Sequence, residues 1–263
     1  MGKHLLGAIA MAALLAAAAP LAGSQTAQQQ QAIDAFKDIV PVGMRSIVSE
    51  HMLPNLVVGD RVIMVAIPEP KRGNVVIFQH PNNHNLVMVD RIIGLPGDTV
   101  EVKGGRLILN GETVPRTMVR EVIYLPDGST RPARAQEYQE QLPGETAPHL
   151  IHEFSDTEGL DETPAFEVPA GHLFMMGDNR DNSEDSRAPS GHRKLATEFP
   201  EGWPYRGSGL PADTRDDAIG FVPIRNLMGR AVAVIFSLNT CRVSEEMRAE
   251  GAECLRPRIG QPL

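Results

Sequence analysis

The stretch Met176-Gly177-Asp178-Asn179-Arg180-Asp181-Asn182-Ser183-Glu184-Asp185-Ser186-Arg187 is a dense run of turn-formers and charges behind the apolar segment Leu173–Met176. The apolar segment reads as a short strand that runs into a turn at Gly177-Asp178. Asp178, Asn179 and Asp181 have side chains suited to satisfying turn backbone groups. Gly177, and Gly97 elsewhere, suit tight backbone geometry.

Outward from this stretch the texture is that of strands and turns. Arg61–Ile67, Val75–Phe78 and Leu86–Ile93 read as strands, as do Leu56–Val58 before Gly59-Asp60 and Val222–Leu238, whose Ala231–Phe236 is strongly apolar. Between Val100 and Val114 the pairs Gly104-Gly105 and Asn110-Gly111 are flanked by apolar alternation, the best hairpin signal in the chain. Residues 116–169 are acidic, Pro-containing and weakly periodic, and read as a loop-rich insertion. Residues 188–217 lack periodicity and read as a surface insertion carrying Trp203, which would pin it down. The 21 Pro and 24 Gly favour this reading of strands and turns over a helical bundle, and with aromatics at only 5% most of the core must be filled by Val, Ile, Leu and Met. A net charge of −8 without a basic stripe argues against a nucleic-acid partner.

At the start of the chain Lys3 and His4 precede the uncharged apolar run Leu5–Ala22. Residues 1–24 therefore read as a cleavable signal peptide or a short membrane anchor, with the remainder exported. Residues 25–40 read as a polar linker leading into a short amphipathic helix through Ile33, Phe36 and Val40. The two cysteines, Cys241 and Cys254, lack metal-type C-x-x-C spacing and suit a disulfide in an oxidising compartment. The tail 239–263 is charged and is expected to be peripheral. His80 and His84 are four apart, but Pro81 and the nearby asparagines oppose a helix and hence a metal site. His149 and His152 are expected on a solvated loop.

Three segments together resemble the bacterial type I signal peptidases. They are Met52-Leu53-Pro54-Asn55-Leu56 through Gly59-Asp60; Arg72–Phe78 with Val89-Asp90-Arg91-Ile92-Ile93-Gly94-Leu95-Pro96-Gly97-Asp98; and the Gly177–Arg187 run followed by Gly220–Pro223. The resemblance implies a mostly-β core at 41–115 and 171–238, an inserted β subdomain at 116–170 and an apolar N-terminal helix. It also implies a protein at the cell membrane, with its bulk on the periplasmic side. Members of that family hydrolyse amides with a serine nucleophile and a neutral lysine base, aided by oxyanion donors. Their substrates are signal peptides of exported precursors, laid extended beside the lysine strand, here Leu86, Val87, Met88 and Val89. No cofactor or metal is implied.

This sequence departs from the pattern at both reacting groups. The nucleophile position falls on His51 and the lysine position on Asp90, whereas the oxyanion serine position is kept as Ser49. Placing Pro41-Val42-Gly43-Met44 on the family's Pro-Ser-Gly-Ser-Met instead also leaves no serine nucleophile. An imidazole and a carboxylate cannot run Ser–Lys chemistry, so a Ser–Lys peptidase built on this chain is expected to be inactive. The replacements nevertheless suit each other, and His51 facing Asp90 is expected to form a satisfied pair with a raised imidazole pKa. Asp185 and Arg187 are implied to pair structurally, with Gly177 and Asp178 also structural. Three expectations follow. The first is a pseudoenzyme that binds extended peptides at an open edge of Leu86–Ile92. The second is a serine peptidase with Ser49 or Ser183 relocated against His51 and Asp90. The third is a non-enzymatic partner of a secretion-machinery protein, docking through 188–217.

Overall fold

A computed structural model describes residues 41–188 and 219–263. The expected N-terminal helix, the linker, residues 189–217 and Trp203 lie outside the described residues. Among the described residues fifteen strands are formed: β1 Pro41–Ser46, β2 Asp60–Val65, β3 Val75–Gln79, β4 Val87–Gly94, β5 Thr99–Lys103, β6 Arg106–Leu109, β7 Glu112–Thr113, β8 Arg116–Tyr124, β9 Ala133–Glu140, β10 His149–Glu153, β11 Phe166–Glu167, β12 His172–Met176, β13 Val222–Pro223, β14 Leu227–Ser237 and β15 Ala252–Glu253. A short helix, α1 Glu245–Ala249, precedes the last of them. The described chain is mostly β. Its main sheet has the order β1-β2-β14-β3-β4-β12-β13, and two four-stranded sheets run β10-β9-β8-β15 and β11-β5-β6-β7.

The two hairpins form where the sequence places them. β5 pairs β6 around Gly104 and Gly105 (φ 49° and 66°), and β6 pairs β7 around Asn110 and Gly111 (φ 54° and 82°). Two successive positive φ values define a primed turn, whose twist matches that of the strands it joins. One apolar cluster, with Ile93, Val102, Leu107, Phe166 and Phe174, joins this hairpin sheet to β4 and β12.

Leu56–Val58 is not a strand. Residues 51–59 form a compact turn, with Leu53 N–H donating to Glu50 O and Leu56 N–H to Met52 O, both at 3.0 Å. Met52 and Leu56 enter one cluster with Ile47, Val62, Ile77 and Val89, while Leu53 and Val57 enter another with Val122, Tyr124 and Ala135. The apolar pairs are four residues apart and face two different layers, so a helical spacing hides behind what reads as an apolar run. Fully burying each such side chain is worth about 1.5–3 kcal/mol. The loop therefore wedges the main sheet against β8 and β9.

Residues 116–169 are richer in regular structure than expected. β8, β9 and β10 form a long antiparallel array, and His149 and His152 lie on β10, buried rather than solvated. Both turn inward onto carboxylates: His149 Nδ1 lies 3.1 Å from Glu145, and His152 Nε2 lies 3.2 Å from Glu137. The tail 239–263 is likewise not peripheral. Cys241 and Cys254 are disulfide-bonded, Ala252 and Glu253 pair in parallel with β8, and Gly260 N–H donates to Val234 O at 2.9 Å.

Candidate active site

Ser49 and His51 sit at the tip of the loop between β1 and β2. That loop is closed at its base by Ile47 N–H to Asp60 O and Gly59 N–H to Ile47 O, each 2.9 Å. His51 Nε2 lies 2.5 Å from Val89 O, and Nδ1 lies 2.7 Å from Ser49 Oγ. A carbonyl only accepts, so Nε2 carries the proton; in the neutral ring Nδ1 is then the acceptor and the exposed Ser49 hydroxyl donates to it. Burial pushes the imidazole pKa below its ordinary value, against the opposing pull of the Val89 carbonyl and of Asp185 and Asp178. The expected upward shift is thus reversed, because desolvation of the ring outweighs its acidic surroundings.

Asp90 on β4 is completely buried. Its Oδ1 stands 3.5 Å from His51 Nε2, yet neither carboxyl oxygen has a hydrogen-bond partner among the described residues. Burial, and next the charges of Asp185 and Asp178, hold its pKa well above the ordinary value, with Arg187 opposing. The expected satisfied pair is therefore not formed: Val89 O, on the neighbouring residue, accepts the Nε2–H hydrogen bond that Asp90 was expected to accept. Ser183 is also buried, and its Oγ has no partner among the described residues. The ring's two hydrogen-bonding positions are filled by Ser49 and Val89, not by Ser183.

The Gly177–Arg187 run props this loop from below. A Cβ on Gly177 would stand 2.5 Å from His51 O and 2.3 Å from Ser183 Oγ, so close approach, not a positive φ, requires glycine there. Asn179 N–H donates to His51 O at 2.9 Å, and Asn179 Nδ2 to Glu50 O at 3.1 Å. Asp185 pairs with Arg187 at 2.7 Å and accepts from Gly177 N–H. Asp178 does not serve turn backbone groups: it accepts from Arg91 Nε and Nη2 and from Asn55 Nδ2, all at 2.7 Å. Burial pushes the Asp178 pKa up, and the Arg91 guanidinium more than offsets this, holding it below the ordinary range. Asp181 accepts from Phe154 and Ser155 N–H.

Arg91, Asn55 and Arg258 were not read as part of the site. A cation within the apolar strand Val87–Ile93 was a signal that Arg91 needs a buried partner. Arg258, which donates to Asn55 Oδ1 from the far end of the chain, left no trace in the sequence.

Among the described residues β4 offers an edge beside the ring. His80 N–H donates to Leu86 O and Ile92 N–H to Asn74 O, so even-numbered residues of β4 form the hydrogen-bonded pairs with β3. Val87 and Val89 therefore turn their N–H and C=O groups away from β3, to a side that β12 reaches only from Arg91 onward. Leu86 and Val87 are 44% and 45% exposed along this edge. Among the described residues no group of three or more His, Cys, Asp or Glu side chains could hold a metal ion.

Ser49, His51 and Asp90 thus gather on an antiparallel β scaffold, and comparison with known proteins gives the family. A family model described as "Signal peptidase, peptidase S26" matches residues 32–236, and the chain belongs to that family. Signal peptidase I of Pseudomonas aeruginosa is 35% identical over 206 residues, covering 72% of this chain and 63% of that relative. Signal peptidase I of Rickettsia bellii is 39% identical over 175 residues, covering 64% of this chain and 48% of that relative. The chain thus spans less than two thirds of the length of either. A crystal structure of a signal peptidase I from Enterococcus faecalis V583 superposes with a TM-score of 0.30 at 22% identity, covering 63% of this chain and 98% of that one. A superposition that loose carries no argument about fold.

Proposed function

We propose that this protein is an exported, membrane-associated member of the family that binds signal peptides of exported precursors in extended form and does not cut them by Ser–Lys chemistry. Residues 41–115 and 171–238 form the binding core, with 116–170 inserted. The observation that carries this reading is the Val87–Val89 edge of β4, flanked by exposed apolar side chains; the His51 imidazole and the buried Asp90 carboxyl beside it are the residues that the resemblance assigns to the family's nucleophile and base positions. An extended peptide gains main-chain hydrogen bonds on such an edge and side-chain contacts from its rim. Burial raises the Asp90 pKa and so disfavours the carboxylate form that would act as nucleophile or base.

A second reading is favoured by the 2.7 Å contact between Ser49 and His51: a serine peptidase in which His51 Nδ1 takes the Ser49 proton. Assay with a pre-protein in detergent separates the two. Under the first, the native protein binds without cleaving, and only the double variant His51→Ser/Asp90→Lys gains cleavage. Cleavage by the native protein that Ser49→Ala abolishes would establish the second.

A further inference from the structure

The strand register leaves Val89 O as the acceptor that a peptide on this edge would use, yet that atom is already occupied. His51 Nε2 approaches it to 2.5 Å, closer than the usual 2.9–3.0 Å for a backbone donor. The ring is held from its other side by the Ser49 hydroxyl at 2.7 Å. An incoming strand must lie about 4.8 Å from β4, within the space the ring spans. The ring is mostly buried, its side chain 16% exposed, but it sits at the surface side of the loop, where Ser49 is exposed and Val48 is 80% exposed.

We propose that His51 is an intramolecular latch on the peptide edge, capping Val89 O in the free protein and swinging out with Ser49 when an extended peptide takes its place. The inference rests on the peptide-binding reading above and goes beyond it, because it assigns His51 a gating role instead of a vestigial one. The ring occupies one position of the incoming ladder. Val87 stays available, so a peptide docks first at Val87 and zips toward Val89 as the latch leaves. The affinity of the native protein is then lowered by the free energy of the capped state, in the manner of any binding-competent conformer that is only partly populated.

The test uses the full chain in detergent and a fluorescein-labelled, alanine-rich peptide from a signal-sequence cleavage region. Removing one competing hydrogen bond should raise affinity about tenfold in His51→Ala. Ser49→Ala, which frees only the outer side of the ring, should give a smaller gain of about two- to threefold by the same reasoning. His51→Gln, which retains an N–H near the Nε2 position, should recover most of the closure. Val87→Pro removes a donor on the free side and leaves the β3 ladder intact, so it reports on the edge itself. It should weaken binding by both the native and the His51→Ala proteins. If Val87→Pro weakens both but His51→Ala binds no tighter than native, the latch is wrong and the edge stands. If neither protein binds peptide, or Val87→Pro has no effect, the edge reading fails and takes the latch with it. In the native protein the His51 Nε2–H resonance should be visible by NMR and disappear on saturation with peptide; its persistence in the complex would also overturn the latch.

Discussion

Asp90 has a carboxyl fully withdrawn from water and without a hydrogen bond among the described residues, and this has a measurable consequence for stability. Because its folded-state pKa is raised, the native protein binds its proton more tightly than the unfolded chain. The stability this proton supplies is fully present below the ordinary carboxylate value and is lost as pH rises through the folded-state value. Asp90→Asn has no proton to lose. Its stability relative to native should therefore grow as pH rises above the ordinary carboxylate range toward the folded-state value in thermal unfolding. A constant offset across that window would mean that Asp90 is ionised and paired in the folded protein. Through the resemblance His51 was legible as a residue expected at a reacting position, and so was Asp90. Their relation was not, because two chemically matched residues need not bond when a nearer backbone acceptor competes.

The elements show the same division. Hairpins at Gly104-Gly105 and Asn110-Gly111 were legible because turn chemistry is local. The 51–59 loop was misread because its apolar residues serve two layers, a fact no single periodicity displays. The disulfide was legible as a pairing, whereas its effect depends on what it ties. It closes the segment containing α1 so that Ala252 and Glu253 reach β8. Replacing Cys241 and Cys254 with alanine should cost about 3 kcal/mol by loop-closure entropy for so short a loop. Denaturant unfolding under oxidising conditions measures it. A loss under about 1 kcal/mol would show that the tail is held by its strand pairing alone.

Across the molecule, buried ions join the sheets. Arg180, next to the site, pairs with Glu140 on β9, and His149 stands 3.5 Å from the same carboxylate. Burial pushes the Glu140 pKa up, and the Arg180 charge more than reverses it, so this carboxylate stays ionised. Removing one partner from such a pair leaves an uncompensated buried charge. Arg180→Leu should therefore destabilise the fold by about 3–5 kcal/mol, with much of the loss recovered in Arg180→Leu/Glu140→Leu. Urea unfolding of both variants tests this, and an Arg180→Leu protein as stable as native would remove the pair from the account of how the sheets are coupled.

The residues alone pointed to the mostly-β class, the two tight turns, the cysteine pairing and the resemblance to the signal peptidases. These are local patterns, or motifs whose order survives without coordinates. Only the tertiary structure decided that His51 bonds Val89 O instead of Asp90, that Ser49 reaches the ring, that the histidines of β10 are buried and that Arg258 returns to Asn55. Each of those outcomes is a competition among partners distant in sequence, settled by which groups the packing brings close and strips of water.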